Sequence, residues 1–189
     1  AAEAEAIAED IAEMHALAEQ VMQDSGQDLE KLLDGDSPHS LAWREWVEPA
    51  EIVTQPGGFA EHAVLDAVQD ALGTEDSLGS GARMYIEPTR ALVAVDVNTG
   101  NDASLAAGVK ANMACARSLP RALRVRGLGG QITLDLAPMP KKDRRTFESA
   151  LRAAFRADGE ETALLGWTPL GHFELQRKRG RLPLRQVLR

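Results

Sequence analysis

Leu92-Val93-Ala94-Val95-Asp96-Val97-Asn98 and Gln131-Ile132-Thr133-Leu134-Asp135-Leu136 are two apolar runs, each interrupted by one aspartate near its carboxyl end. Their length and apolar content predict strands over 91–97 and 131–136. Between them, Asn98-Thr99-Gly100-Asn101 reads as a turn, and Asp102 or Ser104 can cap a helix. Leu105, Val109, Met113 and Ala116 recur as the inner face of that helix. Pro120 should kink or end it at about Leu119, and Gly127, Gly129 and Gly130 break the chain before the second strand. A strand, a helix and a strand in that order imply a crossover, so the two strands are expected to run parallel. Ligands of such sheets bind beyond the carboxyl ends of the strands. Asp96 and Asp135 both fall at that edge.

Outward from this unit the pattern stays α/β: a mixed sheet with flanking helices. Residues 83–87 predict a strand that pairs with 91–97 as a hairpin through Pro88-Thr89. Helix 143–157 turns Phe147, Leu151 and Phe155 inward, and strands follow at 161–167 and 172–176. Upstream, residues 1–24 read as a helix with Ile7, Ile11, Met14, Leu17 and Val21 at helical spacing, stopped by Ser25-Gly26. Residues 28–33 suit a short second turn. Trp43 and Trp46 read as packing anchors. Residues 50–54 predict a short strand and 60–72 a helix. The polar, glycine-rich stretch 73–81 is expected to divide an acidic segment, 1–72, from a basic one, 73–189.

Charge follows that division. Residues 1–80 hold 2 Lys/Arg and 19 Asp/Glu, whereas residues 81–189 hold 19 and 10, within a net charge of -8. A basic segment can bind a polyanion locally in spite of an acidic average. The aromatic fraction, 4%, is too low for stacking to be the main binding device. Cys115 is the only cysteine, which excludes a disulfide framework or a thiolate metal cluster within one chain. No run approaches the roughly 18 apolar residues of a membrane span, and no signal peptide opens the chain, so a cytoplasmic protein is expected. The absence of an initiator Met suggests processing or a fragment.

Asp96, Asn98 and Asp135 are the candidate chemical centre. Asp96 and Asn98 are two apart and share a face of a continuing strand. Their oxygens suit Mg²⁺, or Mn²⁺, with waters and a substrate phosphate completing the shell. Equally, Asp96 and Asn98 can be turn formers and Asp135 a backbone cap. Arg117, Arg121, Arg124 and Arg126 lie between the two acidic runs, and Lys141, Lys142, Arg144 and Arg145 follow the second. With Arg177, Lys178 and Arg179 near the end, these are candidates for phosphate contacts. His172, beside a strand, reads as surface or packing more than as functional.

At these residues the chain resembles the ribonuclease E/G family. Ala91 to Gly100 is similar to the family's first metal-binding strand, and Asn112-Met113 falls where the family has Asn-Leu. Arg121 to Asp135 resembles its Arg-rich lead into the second metal strand, and Leu170 to Arg179 its closing motif. The resemblance implies a DNase I-like catalytic subdomain preceded, over residues 1–72, by the end of an RNase H-like region. It implies that Asp96 and Asp135 hold Mg²⁺, with Asn98 orienting Asp96 or the attacking water. The reaction implied is endonucleolytic cleavage of single-stranded RNA to 5′-phosphate and 3′-hydroxyl ends, as in bacterial RNA processing. The chain departs from the family in reading Leu136-Ala137-Pro138-Met139 where an acid is usual, and Ala114 where many members carry Glu. An S1 domain, a 5′-end sensor and the Cys-Pro-x-x-Cys zinc link are absent from it, and a homo-oligomer is compatible with it. A catalytically weak RNA-binding or regulatory relative is the alternative, and an acidic protein-docking module a third.

Overall fold

The computed structural model describes residues 4–26, 31–32, 35, 37–45 and 50–188. Two compact units divide at Val53 and Thr54. The first contains α1 (Ala4–Met22) and α2 (Pro38–Glu45). Helix α1 follows the predicted span, with Ile7, Ile11, Met14 and Val21 exposed. The predicted turn at 28–33 and Trp46 lie largely or wholly outside the described residues, and Trp43 is exposed.

The second unit begins with α3 (Gly58–Glu61) and α4 (Val64–Leu72). The single helix predicted over 60–72 is interrupted at Ala63, which adopts a left-handed φ of 54°. Residues 50–54 form no strand. Six strands build one sheet: β1 (Glu75–Gly79), β2 (Ala82–Pro88), β3 (Val93–Asn98), β4 (Gly130–Asp135), β5 (Thr162–Trp167) and β6 (Phe173–Arg177), in the order β1-β2-β3-β4-β6-β5. Strands β3 and β4 are parallel and the other neighbours antiparallel, as a mixed sheet requires. Strand β1 occupies the stretch that reads in sequence as a polar divider.

The crossover between β3 and β4 is α5 (Leu105–Arg126), and α6 (Arg144–Asp158) lies between β4 and β5. A short 3-10 turn, Lys141–Asp143, leads into α6, and α7 (Leu184–Val187) ends the unit. Strand alternation sends Met84, Ile86, Val93, Val95, Val97, Ile132, Leu134, Phe173 and Leu175 to one face, where they form a core with α5 and α6. Phe147, Leu151 and Phe155 of α6 are buried there, as their spacing predicts.

Helix α5 corrects two expectations. Ser104 caps it, its hydroxyl accepting the Ala107 N–H at 3.2 Å, but the buried face is Ala111, Asn112, Cys115, Ala116, Leu119 and Leu123, while Leu105 is exposed. The helix also runs through Pro120 to Arg126. An interior proline costs about 3 kcal/mol. Leu119 and Leu123 flank it, both fully buried, and burial of each contributes roughly 1.5–3 kcal/mol. Continuing the helix keeps both in the core, and that outweighs the lost hydrogen bond.

Candidate carboxylate site at the carboxyl edge of the parallel strands

The alternation that buries the apolar side chains places Asp96 and Asp135 on the other, polar face. Their Cα atoms are direct partners in the parallel β3–β4 register. Neighbouring strands lie about 4.8 Å apart, so two aspartates distant in sequence stand side by side. The row extends through Tyr85 to Glu75 on one flank. On the other, His172 Nδ1 lies 3.3 Å from Asp135 Oδ1, close enough for an ion pair though unaligned for a hydrogen bond.

Electrostatics mark Asp96 out. Partial burial raises its pKa above the usual carboxylate value, and the charges of Asp135 and Glu87 add to the rise. No Lys or Arg among the described residues pairs with either aspartate. Clustered anions without a Lys or Arg partner provide a hard-oxygen donor set that suits Mg²⁺. Among the described residues no group of three or more His, Cys, Asp or Glu side chains converges as a metal-holding cluster. A two-carboxylate site completed by water and substrate oxygens is nevertheless ordinary for Mg²⁺.

Asn98 follows Asp96 on the same face, and its Oδ1 accepts the Gly100 N–H at 2.8 Å. That bond shapes the β3–α5 turn and leaves the amide NH₂ to donate. Asn112, in the first half of α5, is fully buried. Its Nδ2 donates to Ala137 O at 2.8 Å and its Oδ1 accepts from Ala137 N at 3.0 Å. This two-way clamp fixes the chain two residues beyond Asp135. Gly108, one turn earlier, allows the same close approach, since a Cβ there would collide with the Pro138 carbonyl. Sequence reading matched Asn112 to the family's Asn-Leu but missed its role; a polar residue centred among Ala111, Cys115 and Ala116 is the physical signal for it.

The basic residues separate into three groups. Lys141, Lys142, Arg144 and Arg145 gather at the start of α6, which the chain reaches shortly after Asp135. Arg117 and Arg121 line a groove of about 550 Å³ between α5 and α6 together with Arg124; these helices cover the sheet face opposite the carboxylates. Arg177, Lys178 and Arg179 lie at the far end of β4, where Arg177 pairs with Gly130, roughly 17 Å along the strand from Asp135.

Three of these cations are committed to the protein itself. Arg177 and Asp158, both side chains 2% exposed, form an ion pair at 2.6 Å, and Arg124 pairs with the same carboxylate. Arg126, nearly buried, donates to Gly73 O and meets Asp76 at 2.9 Å. Buried and paired, Arg126 and Arg177 hold the fold and are not presented to a phosphate. Runs of arginine look alike in sequence, because their partners, Asp76 and Asp158, are remote.

Comparison with known proteins places these features in context. The model of the ribonuclease E/G family matches residues 1–180. Ribonuclease G of Salmonella typhimurium is 34% identical over 139 residues, which cover 69% of this chain and 28% of that protein. Ribonuclease G of Escherichia coli is 34% identical over 134 residues (66% and 27%), and Ribonuclease E of Escherichia coli 32% over 127 residues (64% and 12%). The chain thus spans less than a third of the length of these relatives. No helix among the described residues is long and apolar enough to cross a membrane.

Proposed function

Because the chain belongs to the ribonuclease E/G family, we propose that it forms the catalytic part of a metal-dependent endoribonuclease that cuts single-stranded RNA, leaving 5′-phosphate and 3′-hydroxyl ends. In this reading residues 73–189 are the DNase I-like catalytic subdomain, and residues 1–72 the end of an RNase H-like region. The observation that carries it is the register of Asp96 against Asp135 on one face of two parallel strands.

Asp96 and Asp135 would hold Mg²⁺, with Mn²⁺ an acceptable substitute. The ion supplies Lewis acidity toward the phosphodiester and makes a water more acidic. The chain's own residues do the remainder. Partial burial first, and then the charges of Asp135 and Glu87, raise the pKa of Asp96, and a bound cation would offset both. The free amide NH₂ of Asn98 donates to Asp96 or to the attacking water. Asn112 and Gly108 lock the chain after Asp135, so its carboxylate is presented from a fixed backbone. Lys141, Lys142, Arg144 and Arg145 supply the positive field nearest the carboxylates and bind the strand being cut. Arg117, Arg121, Lys178 and Arg179 lie farther away and serve a longer RNA.

The direct test is cleavage of a 5′-labelled single-stranded RNA with Mg²⁺, with Mn²⁺ or with EDTA. Cleavage is expected with either ion, absent in EDTA, and absent in Asp96→Asn and Asp135→Asn proteins that remain folded. Cleavage in EDTA, or in both variants, overturns the site assignment. A second reading, an RNA-binding relative with little turnover, is favoured by the lack, among the described residues, of a metal-holding group of three or more His, Cys, Asp or Glu side chains; binding without cleavage at any metal concentration would select it.

A further inference from the structure

We propose that Arg144, seated on Trp167 at the rim of the carboxylate site, binds a phosphate of the RNA strand beside the one that is cleaved. The inference rests on the ribonuclease reading and assigns one residue of that site a particular task.

Arg144 differs from its basic neighbours in being held. Lys141, Lys142 and Arg145 are exposed, whereas Arg144 is half-buried, with its guanidinium carbon 4.1 Å from the centroid of the Trp167 ring. That ring is itself fixed. It meets Phe173 edge-on at 5.2 Å and Phe147 at 6.0 Å, and its indole N–H donates to Glu148 Oε1 at 2.6 Å. The cation therefore lies on a rigid platform, and its fork loses little freedom when it binds an anion.

The same hydrogen bond keeps the charge available. Glu148 is four residues beyond Arg144 on α6, the position from which an acid ordinarily pairs with an arginine. Its carboxylate is engaged by Trp167 instead, and no carboxylate among the described residues forms an ion pair with Arg144. The Arg144 Nε is buried with no hydrogen-bond partner. An anion arriving from outside therefore meets the terminal nitrogens of the fork, not this enclosed Nε.

Its position selects the phosphate. A Cβ on Gly171 would lie 3.7 Å from Arg144 Nη2, an ordinary contact that places Gly171 beside the guanidinium, and its φ of +96° is one that side chains rarely adopt. The next residue is His172, whose ring abuts Asp135. Arg144, Gly171, His172 and Asp135 thus form one continuous rim at the carboxyl end of β4. An anion on Arg144 sits next to the carboxylate pair, not within it. In an RNA chain that anion is a neighbouring phosphodiester, and the guanidinium fork matches its two free oxygens.

The test measures binding by the full chain without metal. A fluorescein-labelled decauridylate is titrated in EDTA over a series of KCl concentrations and followed by anisotropy. Arg144→Gln is expected to weaken binding by about 5- to 10-fold and to reduce the slope of log K against log[KCl] by about 0.7, one phosphate contact on a single strand. Arg144→Lys should keep the wild-type slope with an intermediate affinity, because it restores the charge and not the fork. Arg152→Gln, an exposed change farther along α6, should match wild type. Wild-type affinity and slope in a folded Arg144→Gln protein overturn the inference and leave the ribonuclease reading standing. No binding by the wild type at low salt overturns both.

Discussion

Replacing Asn112 with leucine tests how the carboxylate at the end of β4 is held. Asn112 is fully buried and Ala137 is 5% exposed. Leucine fits a similar volume but removes both bonds to Ala137, the 2.8 Å donation and the 3.0 Å acceptance. One N–H and one C=O are then buried without partners, costing about 1–3 kcal/mol each, or roughly 2–6 kcal/mol together. Apolar burial of the leucine returns part of this, about 1.5–3 kcal/mol. The net loss is therefore about 0.5–3 kcal/mol, low estimate against low and high against high. Urea unfolding should show it as a midpoint lower by roughly 1 M, for a slope near 2 kcal/mol/M. Native-state hydrogen exchange should show the Ala137 amide freed by a comparable amount. A variant within 0.5 kcal/mol of wild type, with unchanged exchange at Ala137, would refute the clamp.

Asp158→Ala should lower stability by about 3–5 kcal/mol, because it strands the buried Arg177 guanidinium; calorimetry reads the loss, and a change within 1 kcal/mol contradicts a structural role for that pair. Asp96→Asn should raise the melting temperature slightly in EDTA, since it removes a carboxylate whose charge is disfavoured by partial burial and by Asp135 and Glu87, and should abolish the increase that Mg²⁺ gives to wild type; a melting temperature that falls in EDTA sinks that argument. Burial raises the Cys115 thiol to a pKa of about 12, so it should resist iodoacetamide at pH 8 until the protein unfolds. The folded pKa exceeds the unfolded one, so this group's contribution is complete below about pH 8.5 and is lost as the pH rises toward 12. That loss is about 1.4 kcal/mol per unit above the unfolded pKa; urea unfolding at pH 8 and 10 measures it for Cys115→Ala against wild type.

The elements that organise the site were legible because they depend on local pattern. The short apolar runs Leu92–Asn98 and Gln131–Leu136 placed both strands, and the helix between them dictated their parallel sense. Chain direction alone then brought Asp96 and Asp135 to one edge. The features that escaped depend on remote partners. Strand β1 is short, acidic and weakly patterned, and its pairing with β2 defines it. The run of α5 through Pro120 follows from core burial that no local rule contains. Arg126 and Arg177 resembled surface cations until Asp76 and Asp158 were found beside them. Asn112 and His172 acquire their meaning only across the sheet, from Ala137 and Asp135.

A crystal grown in Mn²⁺ and measured at an anomalous wavelength gives the most direct view of the proposed centre. The account predicts one strong anomalous peak touching a carboxylate oxygen from Asp96 and one from Asp135, lost in the Asp135→Asn protein. A fully occupied Mn²⁺ bound elsewhere, with nothing between these two side chains in the presence of bound RNA, would contradict it.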